Sequence, residues 1–342
     1  TTEHTINGYW CSECKKIVES PLVAAMPHDN IGIRLYVFTA WLHYSVGVSI
    51  HNIVKMLKSM HGFSISAGGL VQGWHRLCRL LEGDYQNIGE SIKESAVLHA
   101  DETGWRKNGI THWLWCFCNA RWCYYLIDRN RGSPVMRKFF GKFFRGILIC
   151  DFWGAYNKIV ALAIQRCFFH LFTELVKVDQ RSDSPEWKWF RKKLSRILKD
   201  AIRLGEKRNT FSQEKLTRCK TKLSNRIRQL RESFYTDKDC QRLCKRLKRH
   251  QDELFVFLEY EQVSPYNNLA EQQMRRPVIS RRISQQNRSD KGLVTQAILM
   301  TLFRTAELQQ HNPVDYIQSL AITAMLKTKG VSNVPNLYKN VA

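Results

Sequence analysis

Acidic residues are scarce in this chain. Over 342 residues, 30 Asp and Glu are set against 53 Lys and Arg, a formal net charge of +23. That deficit excludes a self-neutralised surface and exceeds what a globular enzyme of small metabolites needs. The natural partner is a polyanion, whose neutralised phosphates release counterions. Long apolar runs are also missing: none approaches the ~20 residues of a membrane-spanning helix. No signal peptide opens the chain, so a soluble cytosolic protein is expected. The 11 cysteines are odd in number and scattered through apolar stretches, which argues for reduced core thiols over a disulfide framework. Zinc-knuckle chemistry is present only in half. Cys11-Ser-Glu-Cys14 is one Cys-x-x-Cys pair, where a structural zinc site normally takes two. It reads as the second half of a zinc ribbon whose first half would precede Thr1. His4 or His28 are alternative completing ligands, and an unmetallated turn is the plainer reading.

Against this shortage, three acids stand in settings suited to a divalent ion. Asp101 ends the apolar run Ser95-Ala-Val-Leu-His-Ala-Asp101, and Asp151 ends Gly146-Ile-Leu-Ile-Cys-Asp151. Strand alternation places Val97, His99 and Asp101 on one face, and Ile147, Ile149 and Asp151 on one face of theirs. Glu271 lies in Ser264-Pro-Tyr-Asn-Asn-Leu-Ala-Glu271, which reads as a helix start with Ser264 as N-cap and Pro265 in the first turn. On that helix Asn267, Glu271 and Arg275 share a face, and Pro277 breaks or kinks it. Two close carboxylates repel unless one is protonated or a cation sits between them. Two strand-end aspartates and a helical glutamate suit a pair of magnesium or manganese ions cutting phosphodiester bonds. Taken singly, each has a plainer reading: strand-end aspartates cap neighbouring helices, and an isolated glutamate is ordinary surface.

Five regions organise the chain. Residues 1–26 carry the half knuckle. Residues 27–90 are helical, with Leu35, Phe38, Leu42 and Val46, then Ile50, Ile53, Val54 and Leu57, at helical spacing. The turn His61-Gly-Phe-Ser64 leads into a helix holding Leu70, Val71, Trp74, Leu77 and Leu81. That is a helix-turn-helix layout for DNA, with Gln72, His75, Arg76 and Arg79 as its polar face. Residues 91–180 concentrate the strands. Thr111–Cys118 and Trp122–Ile127 flank Asn119-Ala-Arg121 as a hairpin, Ser133–Phe140 is a crossover helix, and the strand to Asp151 follows. This order is how an RNase H-like domain begins, with its first and fourth strands adjacent and parallel. Cys116, Cys118 and Cys123 on the hairpin read as core, while Cys167 and His170 form a Cys-x-x-His pair near the site.

Residues 181–260 form a basic helical insertion in the catalytic domain. Leu194, Ile197, Leu198, Ala201, Leu216, Leu223, Leu230, Leu243 and Leu247 are its packing positions. Lys192, Lys193, Lys245, Arg246, Lys248 and Arg249 offer a phosphate-contacting surface, with a solvated charged face as the alternative. Residues 261–342 return to the catalytic domain. There Arg275, Arg276, Arg281 and Arg282 crowd the place of a scissile phosphate. The expected class is α/β: an RNase H-like mixed five-stranded sheet flanked by helices, with a helical insertion and an N-terminal helical region.

Several blocks carry a family resemblance. Asp101-Glu-Thr-Gly-Trp105, Cys150-Asp-Phe-Trp-Gly-Ala-Tyr156, Cys167-Phe-Phe-His170, Asn267-Asn-Leu-Ala-Glu-Gln-Gln-Met-Arg-Arg-Pro277 and Ser289-Asp-Lys-Gly292 resemble, in order, the motifs of DDE transposases of the insertion-sequence sixty-six family. Two departures stand out: Leu171-Phe-Thr173 where members commonly carry basic residues, and no upstream cysteine pair. The resemblance implies that Asp101, Asp151 and Glu271 hold two magnesium or manganese ions for cleavage at transposon ends and transfer to target DNA. His170 and Asn267 would support the site. It further implies double-stranded DNA as partner, a homodimer on DNA, accessory transposition proteins as possible helpers, and work in the bacterial cytosol beside the nucleoid. Two rivals are an RNase H-like structure-specific nuclease and a non-catalytic transposase-derived DNA-binding protein.

Overall fold

In the computed structural model, residues 7–19, 25–26, 29–284 and 286–328 are described. The half knuckle is the turn of a small antiparallel hairpin, β1 (Gly8–Cys11) and β2 (Lys16–Glu19). Three helices follow: α1 (Ile33–Trp41), α2 (Ile50–His61) and α3 (Ala67–Lys93). Ser49 and Ser66 cap α2 and α3 by accepting from Asn52 and Gly69 amides, and Gly62 ends α2 at φ 63°, a left-handed turn that glycine adopts without strain. At 27 residues α3 is about 40 Å long.

The expected strand order is found. β3 (Val97–Lys107), β4 (Ile110–Cys118) and β5 (Cys123–Asp128) form an antiparallel meander, α4 (Ser133–Phe140) crosses, and β6 (Phe144–Cys150) and β7 (Ala161–Arg166) complete the sheet. The sheet order is β5-β4-β3-β6-β7, with β6 parallel to β3 and β7 parallel to β6. Period-two alternation divides the sheet into two cores. Leu98, Ala100, Leu148 and Cys150 join one core with Trp74, Leu77 and Leu81 of α3. Ile147 and Ile149 face the other, built from the helices that follow β7: α5 (Phe168–Asp179), α6 (Pro185–Glu206), α7 (Gln213–Glu232) and α8 (Lys238–Arg249). All nine apolar positions read from the 181–260 pattern are buried. The fully buried Gln165 of β7 ties the end of this helical block to the sheet, donating to Leu254 O (3.0 Å) and accepting from the Phe257 amide (3.0 Å).

The chain closes with α9 (Asn268–Ser284), α10 (Asp290–Leu308) and α11 (Pro313–Thr328). Two local readings need correction. α9 begins at Asn268 and Ser264 does not cap it, because the Ser264 hydroxyl accepts from the Tyr266 amide (3.0 Å) and residues 264–267 dock against other elements. Pro277, expected to break or kink the helix, does not break it, since α9 runs on to Ser284. The turn beyond it is held in place by Ser280, buried, and by Arg281, which donates to Thr103 Oγ1 (3.0 Å) and Gly104 O (2.7 Å) of β3.

The N-terminal helices share the sheet's core with α10 and α11. His75 of α3 is buried and bonded through Nδ1 to Thr295 Oγ1 of α10 (2.6 Å), and Arg76 is ion-paired to Asp29. This face of α3 is therefore largely engaged inside the protein, and of the four polar residues read from it Gln72 and Arg79 are exposed. Among the described residues no helix is long and apolar enough to cross a membrane.

Candidate active site

β3 and β6 run parallel with Val97 opposite Ile147, Leu98 opposite Leu148 and His99 opposite Ile149. Two residues past the end of that pairing, Asp101 continues β3 while Asp151 directly follows the last residue of β6. The half-buried Asp101 carboxyl is pushed up to about 8, by desolvation first, then by the charges of Glu102 and Asp151 and, more weakly, of Glu271; the Glu102 amide, donating to Asp101 Oδ1 (3.0 Å), opposes the rise. Asp151 and Glu271 thus both lie within electrostatic reach of Asp101. Asp151 Oδ1 accepts from the Trp153 amide (2.8 Å), which fixes its turn. Glu271 sits in the first turn of α9. Its Oε1 is buried without a hydrogen-bond partner, as is His170 Nδ1, 3.9 Å away. Crowded carboxylates and orphaned ligand atoms fit a set of groups that holds divalent cations.

This electrostatic strain has a definite sign. In the unfolded chain Asp101 titrates near the ordinary 3.8, so between about 4 and 8 the folded protein binds a proton that the unfolded chain has lost. Stability conferred by that proton is present below about pH 4 and lost as pH rises through 8, by up to on the order of 1.4 kcal/mol per pH unit. We expect the metal-free melting temperature to fall from pH 5 to pH 8, and added magnesium or manganese to raise it most at the alkaline end. Calorimetry in buffers of different ionisation heat should detect proton release on metal binding; a pH-independent response would contradict the charge crowding.

Long-range contacts place Glu271 and Asp151. Asn267, fully buried, donates from Nδ2 to Ala100 O (2.8 Å), meets His99 Nδ1 through Oδ1 (3.0 Å), and its amide donates to Cys167 Sγ (3.2 Å). The Phe168 amide donates to Pro265 O (2.8 Å). These bonds staple the approach to α9 onto β3 and α5, one helical turn before Glu271. Behind Asp151 lies Arg166, completely buried. It donates from Nη1 to Asp151 O (2.6 Å), from Nη2 to Asn157 Oδ1 (2.8 Å) and from Nε to Glu253 Oε2 (2.5 Å), which His250 Nδ1 also approaches (2.8 Å).

A fourth acid belongs to the site and sequence reasoning missed it. Glu102 has a buried side chain, accepts from Tyr156 OH (2.6 Å) and pairs with Arg131 (3.1 Å). Burial above all, then the Asp151 charge, pushes it up to about 7, against Tyr156 and Arg131. The Arg131 guanidinium lies over the rings of Trp153 (4.0 Å) and Trp113 (4.3 Å), so cation–π contacts and Glu102 hold it together. The signal was present in the pair Asp101-Glu102 and in Tyr156, but alternation alone turned Glu102 away from Asp101.

The basic candidates separate into spent and free. Arg76 and Arg281 are engaged as described, and Arg276 is paired with Glu307. Arg275, Arg282, Lys192, Lys193, Lys245, Lys248 and Arg249 are exposed, as is Arg79. Arg246 is half-buried and feels the Asp151 charge. Its guanidinium lies over the Phe152 ring (5.5 Å), and burial lowers its pKa while the charges of Glu174 and Asp151 oppose. Elsewhere, Cys116, Cys118 and Cys123 are fully buried. Cys11 and Cys14 bring their sulfurs to 3.3 Å at the β1–β2 turn. His4 and His28 lie outside the described residues.

The model of the transposase IS66 family matches residues 30–295, well over half of the chain. The chain belongs to the transposase IS66 family. Comparison with curated proteins returns no match. Within this transposase the matched span takes in α1 to α3, the whole sheet, the helical block and all of Asp101, Asp151, His170, Asn267 and Glu271, and it ends in α10. The Cys11–Cys14 hairpin lies before it.

Proposed function

We propose that this transposase cuts and rejoins DNA at the ends of an insertion sequence, with Asp101, Asp151 and Glu271 as the acidic triad. The observation that carries the reading is that Asp101 feels the charges of both Asp151 and Glu271, 50 and 170 residues further along the chain, on top of its burial and the charge of Glu102. The sheet order, with the two aspartate-bearing strands central and parallel, supports an RNase H-like catalytic domain. Asp101 and Asp151 would hold one magnesium or manganese ion between them, and Glu271 would complete a second position. Bound there, the ions supply activation of water or a 3′-hydroxyl and neutralisation of the leaving oxygen.

The chain's own residues do the rest. Asn267 positions Glu271, Arg166 fixes the Asp151 turn, and Tyr156 with Arg131 restrains Glu102 beside the pair. Arg246, Arg275 and Arg282 supply positive charge around the phosphate. The exposed bases of the helical block and Arg79 extend that charge along a DNA duplex. Joining two ends calls for two copies of the chain on DNA, and accessory proteins and N-terminal zinc belong to the same reading as proposals.

Strand transfer separates this function from simple nuclease action. Incubated with manganese, a donor plasmid carrying the element and a supercoiled target, the protein should nick at element ends and yield joined products. Nicks without joining would leave a structure-specific nuclease. No metal-dependent cleavage at all would leave a DNA-binding relative that has lost catalysis.

A further inference from the structure

Beside the aspartate pair, three ligand-type groups face one gap. A Cys167 sulfur, a His170 ring nitrogen and a Glu271 carboxylate oxygen lie within 4.8 Å of one another. His170 Nδ1 and Glu271 Oε1, 3.9 Å apart, are both buried atoms without a hydrogen-bond partner. Local structure presents them together. Cys167 immediately precedes α5 and His170 is the third residue of that helix, so Cys-x-x-His offers both groups at one helix end. The amide of Asn267, which donates to Cys167 Sγ, lies one turn before Glu271. The stretch after His170, Leu171-Phe-Thr173, is uncharged, so no ammonium or guanidinium from it competes for Glu271.

Ligand type selects the ion. Bond lengths of about 2.0–2.3 Å to nitrogen, oxygen and sulfur put tetrahedral ligands about 3.3–3.8 Å apart. The His170–Glu271 pair nearly meets that spacing as it stands, and the trio closes with about an ångström of movement. Magnesium wants oxygen ligands in octahedral array, whereas imidazole and thiolate favour zinc-class ions. Asp101 and Asp151 offer oxygen alone.

We propose that the two cation positions of this site are chemically unlike. Asp101 and Asp151 form an oxygen-only position for magnesium, and Cys167, His170 and Glu271 form a nitrogen- and sulfur-bearing position for a zinc-class ion. This assignment rests on the acidic-triad reading above and specifies the metal at its Glu271 side.

Cobalt is the spectroscopic probe. The full chain, carrying Cys11→Ser and Cys14→Ser so that the hairpin thiols stay silent, is titrated with cobalt in the absence of other metals. A thiolate-to-cobalt charge-transfer band is expected, lost in Cys167→Ser. His170→Asn should weaken cobalt binding by at least about tenfold, since even outer partners of a metal site matter that much. Magnesium affinity by calorimetry should be unchanged in both variants, and unaltered circular dichroism should show them folded. Absence of the band in the parent, its survival in Cys167→Ser, or unweakened cobalt binding in folded His170→Asn overturns the proposal. If cobalt fails but Asp101→Asn still abolishes nicking, only the mixed-metal assignment falls. If cobalt binds as described while Asp101→Asn still nicks, the zinc-class position stands and the triad reading falls.

Discussion

Asp101→Asn is expected to lower DNA nicking by at least about a thousandfold, some 4 kcal/mol of transition-state stabilisation, while making the metal-free protein more stable. The two effects share one cause. Asp101 is half-buried near Glu102 and Asp151, with Glu271 adding less, and its charge is so disfavoured that its carboxyl is held at about 8. An amide of the same shape removes that repulsion and with it a cation ligand. Stability gained where function is lost marks a site whose strain is part of its work. Melting curves at pH 8 without metal, beside a nicking assay and a DNA-binding assay, read all three quantities. The variant should melt higher, cut far less and bind DNA nearly as well. A variant that melts lower and still nicks would remove Asp101 from the site.

Arg166→Leu should cost about 3–5 kcal/mol in denaturant unfolding, the usual consequence of removing one partner of a buried ion pair. Arg166 is completely buried, and its replacement leaves Glu253 with His250 alone and strips the donor from Asp151 O. Because the carbonyl belongs to Asp151 itself, metal affinity should fall with stability. A loss of less than about 1 kcal/mol would mean that Glu253 and Asp151 O find other partners, and that Arg166 does not organise the turn.

How much of this was legible in the sequence depends on whether the deciding contact was local. The helix over Ser133–Phe140 was read to its ends, because Pro134 in the first turn and Gly141 just beyond it are local signals. Strand alternation likewise grouped Val97 with His99 and Ile147 with Ile149, and the β3–β6 register pairs Val97 with Ile147 and His99 with Ile149. Local signals misled at Ser264: the side chain that matters there is Asn267, and its partners Ala100 and His99 lie 167 and 168 residues away. Polarity alone read His75 and Arg76 as an outward face, whereas their partners are Thr295 and Asp29, 220 and 47 residues distant. Arg166 and Glu102 escaped for the same reason. Each is a buried charge neutralised across the fold, Arg166 by Glu253 at 87 residues' separation and Glu102 by Arg131 at 29. A one-dimensional pattern carries hydrophobic period and turn chemistry; it does not carry which distant carboxylate meets which guanidinium.

Anomalous X-ray scattering from crystals soaked in manganese tests most directly whether these acids share cations. The expected result is a strong peak bridged by the Asp101 and Asp151 carboxylates, with a Glu271 oxygen turned toward the same cavity. Manganese found only at scattered surface acids, with the carboxylate cluster empty at saturating metal, would contradict it.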